Sequence, residues 1–308
     1  MTKMEFRKYP SIAAYSHVGA RSAVAAAVPP TERWVALEKV DGANLQLLFT
    51  PGGGYTVGRR GGWLADGEAF FNVRGILARY AAELAVLQQW ADGHGQPLRV
   101  YCELYAPKIL GRIGYGEGIV ILDVMVHTPG GGEELLAPDA AAAFLAELNM
   151  AHLCVPRLAT LDGWEAVVTW VRDAFRDGPR SVLAPGGPVA EGVVLRPAAR
   201  NYPVWEGHAM LKHKTAAFTE VGNVPGGCPL QDEFRAYCTP SRVAGVVSKL
   251  GAPPDKAAIG RVYIPALKAD ALADFVADHP GLSGKDLARL RRTKVTAFSA
   301  FLEHMTAQ

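Results

Sequence analysis

Lys39, in Glu38-Lys39-Val40-Asp41-Gly42, is the residue of this chain best placed to act as a nucleophile. It follows an apolar, aromatic run, Trp34-Val35-Ala36-Leu37, that reads as a strand, and Gly42 lets the chain turn sharply just beyond it. A strand end fixes the amine in space. A free lysine amine has a pKa near ~10.4, so it must first be brought to its neutral form. Nearby cations and partial burial both disfavour the ammonium and move it that way. The alternative is an ordinary surface lysine before a turn, and the rest of the chain has to decide between them.

Five further positions carry complementary chemistry. Arg59-Arg60 lies between Gly58 and Gly61, where a ligand can approach the backbone, and arginine forks match phosphate and ribose oxygens. Glu103 sits in Tyr101-Cys102-Glu103-Leu104-Tyr105 and shares a strand face with the two tyrosines. A carboxylate there either accepts from a ribose hydroxyl or closes a buried ion pair. Asp123 interrupts the apolar run Ile119 to Val126 and calls for a lysine or arginine partner. Glu191 precedes Gly192 and is the preferred metal ligand, direct or through water, because magnesium favours carboxylate oxygen with retained waters. Its other reading is a strand-end surface charge. Lys212 and Lys214 flank His213 and share one face of a strand, as a phosphate clamp or as an exposed basic edge.

Other chemistries lack their signatures. There is no G-x-x-x-x-G-K-[ST] loop and no G-x-S-x-G elbow, and His208 and His213 have no metal-ligand spacing. The four cysteines show no C-x-x-C pair, so a reducing cytoplasm is expected. With 308 residues, 49% of them apolar, the chain can bury a large core in one or two domains. A net charge of +2 means that any nucleic-acid site is a local basic surface. No segment has the length and hydropathy of a signal peptide or a membrane span.

The elements that must hold these residues follow from periodicity. Residues 1–33 read as a preamble. Trp34 to Val57 reads as two strands joined by Thr50-Pro51-Gly52-Gly53-Gly54. Residues 73–91 have helical spacing. Strands are expected at 98–105, 119–126 and 192–196, with helices near 138–149 and 162–177. Alternating strands and helices with glycine-rich turns give an α+β class. Val221 to Pro229, with two prolines and three glycines, is the expected linker. Beyond it the pattern is helical. Ser241 is expected to cap a helix to Leu250, and Pro265 to open another that Pro280 stops. Ser283 with Asp286 forms a capping box for a last helix to about Met305, with Leu287, Leu290, Ala297, Phe298, Phe301 and Met305 on its apolar face.

Taken in order, Lys39-Val40-Asp41-Gly42, Arg60, Glu103, Asp123, Glu191 and Lys212/Lys214 resemble the motif set of the covalent nucleotidyltransferases. That superfamily comprises ATP-dependent DNA and RNA ligases and mRNA capping enzymes. The chain is most similar to the phage RNA-ligase-2-like branch, which includes kinetoplastid RNA-editing ligases. The likeness lies in Phe6-Arg7-Lys8-Tyr9-Pro10-Ser11-Ile12, Glu38 to Asn44, Arg59-Arg60-Gly61-Gly62 with Phe70-Phe71, Glu191 to Pro197 and Leu211 to Thr215.

The resemblance implies an adenylyltransferase domain of antiparallel sheets with flanking helices at residues 1–221 and a small all-helical C-terminal domain at 230–308. It implies an ATP-dependent RNA ligase that joins an RNA 3′-hydroxyl to a 5′-phosphate, in a nicked duplex, as in RNA repair. The route would pass through a lysyl-AMP and an adenylylated RNA, with ATP as co-substrate and magnesium or manganese as metal. Lys39 would be the nucleophile, and Lys212 and Lys214 would hold the α-phosphate. Glu38, Val40, Asn44, Arg60, Glu103, Leu122 and Glu191 would line the nucleotide site, with Glu191 and Asp41 toward the metal. Leu122 stands where the branch carries an aromatic residue against adenine, so the base would meet an aliphatic wall. Arg289 and Arg292 are expected to contact RNA phosphates. The rivals are a DNA ligase or capping guanylyltransferase, whose usual OB-fold domain the helical C-terminal pattern does not suit, and an inert RNA-binding protein of the same fold.

Overall fold

The computed structural model describes residues 5–107, 109, 113–127, 132–204, 207–215, 218, 230, 234, 237–279, 282–293, 295 and 297–305, the side chains at 289, 299 and 303 excepted. The chain divides into two compact units, residues 1–215 and 216–308. The expected linker, Val221 to Pro229, lies outside the described residues.

The first unit is an α+β fold on two sheets. In chain order its elements are β1 (Ala13–Ala14), α1 (Val18–Ala27), β2 (Arg33–Lys39), β3 (Ala43–Thr50), β4 (Gly54–Arg59), β5 (Gly62–Trp63), α2 (Val73–Ala78) and α3 (Ala81–His94). There follow β6 (Leu98–Tyr105), β7 (Gly118–His127), β8 (Glu133–Leu135), α4 (Pro138–Glu147), β9 (Arg157–Asp162) and α5 (Trp164–Ala174). The last are β10 (Gly192–Pro197), β11 (Pro203–Val204), β12 (Gly207–His208) and β13 (Leu211–Lys214). One sheet has the order β1-β13-β10-β2-β9 and the other β5-β4-β3-β6-β7-β8, while β11 and β12 form a separate pair. Every pairing is antiparallel except β1 with β13.

The expected two strands between Trp34 and Val57 are three. The Thr50–Gly54 turn joins β3 to β4, but β2 ends at Lys39 and belongs to the other sheet. Val40 to Gly42 is therefore the crossing from one sheet to the other. Gly42 is required there: a Cβ at this position would collide with the Leu104 carbonyl oxygen and lie 2.9 Å from Glu103 Cγ. The crossing after Lys39 is thus pressed against β6 by the topology itself.

Each sheet has its own apolar core. Leu45, Leu47, Val100, Cys102 and Ile121 meet Ile76, Leu87 and Leu145 of α2, α3 and α4. On the other sheet, Trp34, Ala36, Val193, Leu195 and Leu211 meet Val24 of α1 and Val167 and Val171 of α5. The preamble therefore contains a helix, α1, which buries Ala20 and Val24, one turn apart in an alanine-rich segment, and ends at the buried cap residue Val28. The helix expected over 73–91 is broken at Arg79–Tyr80, where the Tyr80 hydroxyl accepts from the Ile119 N–H at 3.4 Å.

A buried clamp links the two sheets. Asp123 of β7 accepts from Arg196 Nη1 of β10 at 2.6 Å and from the Tyr9 hydroxyl at 2.5 Å. Arg196 also reaches Asn201 at 3.1 Å, and Asn201 donates to the Leu135 carbonyl at 2.5 Å. The arginine partner expected for Asp123 is there. Burial raises the Tyr9 phenol well above its ordinary value, and the Asp123 charge adds to this.

The second unit is helical where described. Pro240–Leu250 is capped by the Thr239 side chain, which accepts from the Arg242 N–H, rather than by Ser241. The helix Ile264–Asp278 carries Pro265 in its first turn and is entered through a π-turn, Ile259–Tyr263. Pro280 lies outside the described residues. The Ser283–Asp286 capping box forms. The expected long last helix is instead two, Gly284–Arg292 and Phe298–Met305, because Thr293 is extended (φ −60°, ψ 129°). The break turns Phe298 outward, 40% exposed, while Leu290, Ala297 and Phe301 stay buried. Arg242 is buried and held by Asp270 at 2.6 Å and Asp274 at 2.8 Å, one turn apart on the same helix. Arg291 and Arg292 are exposed, and the Arg289 side chain is not among those described.

Candidate functional site

The site is built where β2 and β13 end and β10 begins, beside β6. Gly192 opens β10 directly opposite both Lys39 of β2 and Lys214 of β13. Its lack of a side chain permits this: a Cβ there would collide with the His213 carbonyl oxygen and lie 2.8 Å from Lys214 Cα. Glu191, the residue before it, is buried and reaches both lysines. Lys39 Nζ donates to Glu191 Oε2 at 2.6 Å, and Lys214 Nζ is 3.2 Å from Oε1.

The two lysines decide the charge of this carboxylate. Burial alone raises a carboxyl pKa, but Lys39 and Lys214 outweigh it and hold Glu191 below the ordinary value. Glu191 is thus a buried anion shared by two ammonium groups. Lys212 lies on the same face of β13 as Lys214 and opposite Val194. His213, on the other face, packs against Phe175 at 4.1 Å and Tyr15 at 5.3 Å.

Glu103 comes from the second sheet. Cys102 and Leu104 enter the helix-covered core, which leaves Tyr101, Glu103 and Tyr105 on the face away from it. Burial raises the Glu103 carboxyl to about 8; Glu191 and Asp41 add to the rise, and Lys39 and Arg60 oppose it. Lys39, Asp41, Arg60 and Glu191 therefore all lie within electrostatic reach of Glu103. Asn44 of β3 stands opposite Glu103 and donates to the Cys102 carbonyl at 3.5 Å. Arg60 donates to Ser11 Oγ at 3.3 Å, and its neighbour Arg59 pairs with Glu68 at 3.2 Å.

Leu122 sits at a bulge in β7, where Tyr101 faces Asp123 and Cys102 faces Ile121. Bulges re-aim side chains next to sites. The bulge brings Leu122 against an apolar cluster of Val40, Tyr105 and Val120, to which Tyr115, Val155 and Leu183 also pack. Val40 and Leu122, expected at the nucleotide, are thus in one apolar wall beside Lys39.

Glu38 differs from its neighbours. Its carboxylate accepts from Ser181 Oγ at 2.5 Å, the Val182 N–H at 2.8 Å, the Leu183 N–H at 3.2 Å and the Tyr115 hydroxyl at 3.3 Å. Sequence reasoning missed Tyr115 and the 181–183 turn. A Tyr between glycines and a Ser after an arginine carry no local signal of this contact. Among the described residues no group of three or more His, Cys, Asp or Glu stands together as a cation cage, so Glu191 and Asp41 form no such cluster. No helix there is long and apolar enough to cross a membrane.

Residues 32–214, from the start of β2 to the end of β13, match the RNA ligase family, and the chain belongs to that family. Its fold is that of the RNA ligase nucleotidyltransferases. A Naegleria gruberi RNA ligase variant with ATP and Mn superposes with a TM-score of 0.50 at 17% identity, covering 69% of this chain and 57% of that one. A second variant of that ligase, in its apo form, gives 0.50 at 17% identity over 69% and 56%. An archaeal ATP-dependent RNA ligase gives 0.45 at 16% identity over 97% and 64%. The chain thus spans a little over half the length of the Naegleria ligases. No curated protein matches it.

Proposed function

We propose that this chain is an ATP-dependent RNA ligase of the phage RNA-ligase-2-like kind that seals nicks in duplex RNA. The observation that carries the reading is the Lys39–Glu191–Lys214 arrangement at a strand-end crossing, inside a family match that ends at Lys214. Lys39 Nζ, once deprotonated, attacks the α-phosphorus of ATP. The α,β-phosphoanhydride bond breaks, pyrophosphate leaves, and a lysyl-AMP remains. The AMP passes to an RNA 5′-phosphate, regenerating the lysine, and an RNA 3′-hydroxyl then displaces AMP to form the phosphodiester.

Each residue of the site has work in this scheme. Glu191 orients Lys39, and Lys212 and Lys214 neutralise the α-phosphate. Arg60 and Glu103 take the ribose and neighbouring groups, with Asn44 toward the leaving group or the RNA phosphate. Positioning and charge neutralisation carry most of such chemistry. A carboxylate that stays charged suits a divalent ion that keeps its waters, so magnesium or manganese would be held through Glu191, with Asp41 as the second carboxylate. The ion would supply further neutralisation of the phosphate charge. Glu103, at about 8, is protonated over much of the neutral range and can donate as well as accept.

The catalytic domain is proposed to extend to residue 221, with the helical domain from 230 and RNA phosphates at Arg289 and Arg292. Free Cys102, Cys154 and Cys238 support a reducing, cytoplasmic setting.

Intact-mass spectrometry after incubation with ATP and magnesium tests the reading. The protein is expected to gain one AMP, and Lys39→Ala to gain none. Nick-sealing assays on duplex RNA and DNA then identify the acceptor. A sample stripped of bound AMP by pyrophosphate that takes up no AMP would overturn it.

A further inference from the structure

Glu38 is a buried carboxylate whose four described partners are all neutral donors. Three of them come from one turn, Ser181 to Leu183, some 143 residues away. Ser181 Oγ also accepts from the Ala184 N–H at 2.9 Å, so donating to Glu38 and closing the turn are one arrangement. The fourth partner, the Tyr115 hydroxyl, is itself approached by the Asp41 N–H at 3.4 Å. Tyr115 thus ties the residue before Lys39 to Asp41, two residues after it. A buried carboxylate with this many fixed donors resists rotation, because each bond lost exposes an unsatisfied charge.

The turn ends on Leu183, which is partly exposed and packs on the apolar wall of Val40, Tyr105 and Val120 beside Leu122. Leu122 and Leu183 both leave apolar surface open next to the nucleophile. A flat heterocycle attached to the phosphate that Lys39 attacks is the ligand that such a surface fits.

We propose that Glu38 is a positioning residue that fixes the Ser181–Leu183 turn, so that Leu183 and Leu122 together form the wall against the nucleotide base. Glu38 then acts on the nucleotide through the turn, and its carboxylate is not a direct contact. The aliphatic wall is shared between β7 and a turn far off in sequence. This rests on the nucleotidyl-transfer reading above and adds the residues that select for a base.

The test is steady-state ATP–pyrophosphate exchange by the full chain, which turns over the same AMP-transfer step, with inorganic tripolyphosphate as a competitive inhibitor that carries no base. Leu183→Ala and Ser181→Ala are expected to raise KM for ATP on the order of tenfold, with kcat within about twofold. Inhibition by tripolyphosphate stays at the wild-type level, which a merely structural loss would not allow. Glu38→Gln is expected to do the same and more, since one oxygen takes both backbone N–H groups and an amide nitrogen in place of the other cannot accept from Ser181 Oγ and the Tyr115 hydroxyl. If that variant does not fold, the two turn variants still decide. Unchanged KM in both, or equal weakening of ATP and tripolyphosphate, overturns the assignment while leaving the ligase reading intact. A wild-type protein that takes up no AMP overturns the ligase reading and this one with it.

Discussion

Glu191 accepts a hydrogen bond from Lys39 at 2.6 Å while Lys214 stands 3.2 Å from its other oxygen. Its carboxyl is held below the ordinary glutamate value despite burial, because the two ammonium groups outweigh desolvation. A folded-state pKa below the unfolded one means that the unfolded chain binds the proton more readily. The stabilisation is therefore present above the unfolded value, near ~4.3, and is lost as pH falls through the folded one. Melting curves of wild type and Glu191→Gln are expected to converge as the pH drops below about 4. Curves that stay parallel down to acid would show that the pair contributes nothing. On the ligase reading, Glu191→Gln also slows AMP uptake on the order of 10²-fold, the usual cost of one lost charge contact in a closed site.

Glu103 runs the other way. Its folded value is about 8, so the folded protein holds the proton more tightly than the unfolded chain. Stability is then fullest below the unfolded value and declines as pH rises toward about 8. Glu103→Gln removes the titration. The variant is expected to melt at least about 2 °C above wild type at pH 9 and to lose that advantage at pH 5. A difference that does not change with pH would rule out burial as the cause of the shift. AMP uptake should fall in the same variant if the carboxyl takes the ribose.

Much of this arrangement was legible in the residues. Strand 98–105 was read with its observed limits, and the lysine was placed at a strand end. Helix 138–149 and the capping box at Ser283 were also read from local pattern. What escaped depended on tertiary contact. The α1 helix hides among alanines, and its buried face is only Ala20 and Val24. β9 is an edge strand with exposed Arg157, Thr160 and Asp162, so its alternation is weak. The assignment of β2 and β3 to different sheets cannot be seen in a run of strand-forming residues, and the site depends on that crossing. The resemblance sets Glu38 at the nucleotide; the partners of its carboxylate come from segments 77 and 143–145 residues away and leave no local signal.

Asp123 and Arg196 are both fully buried, and they join β7 to β10. Removing one partner leaves an uncompensated buried charge, which costs about 3–5 kcal/mol. Asp123→Asn and Arg196→Met are each expected to lower the denaturation midpoint strongly. The double variant should be less destabilised than the sum of the two, because neither charge is then left alone. Additive losses would show that the two groups act independently and that the sheets are held together by other contacts.

Gly192 is the position where backbone geometry and the charge cluster meet. A methyl group there would strike the His213 carbonyl, which belongs to the strand carrying Lys214. Neither obstacle is the flexible end of a side chain, so β10 and β13 would have to part. Gly192→Ala is therefore expected to cost about 1–3 kcal/mol from overpacking. It should also weaken the Lys214–Glu191 pair more than the Lys39–Glu191 pair, since β2 pairs with β10 on the opposite edge. Denaturant titration reads the first effect. The second would appear as slower AMP uptake that a further Lys214→Ala change worsens little, because the contact is already lost. If Gly192→Ala is as stable and as active as wild type, close approach of these two strands is not what holds the lysine to the carboxylate.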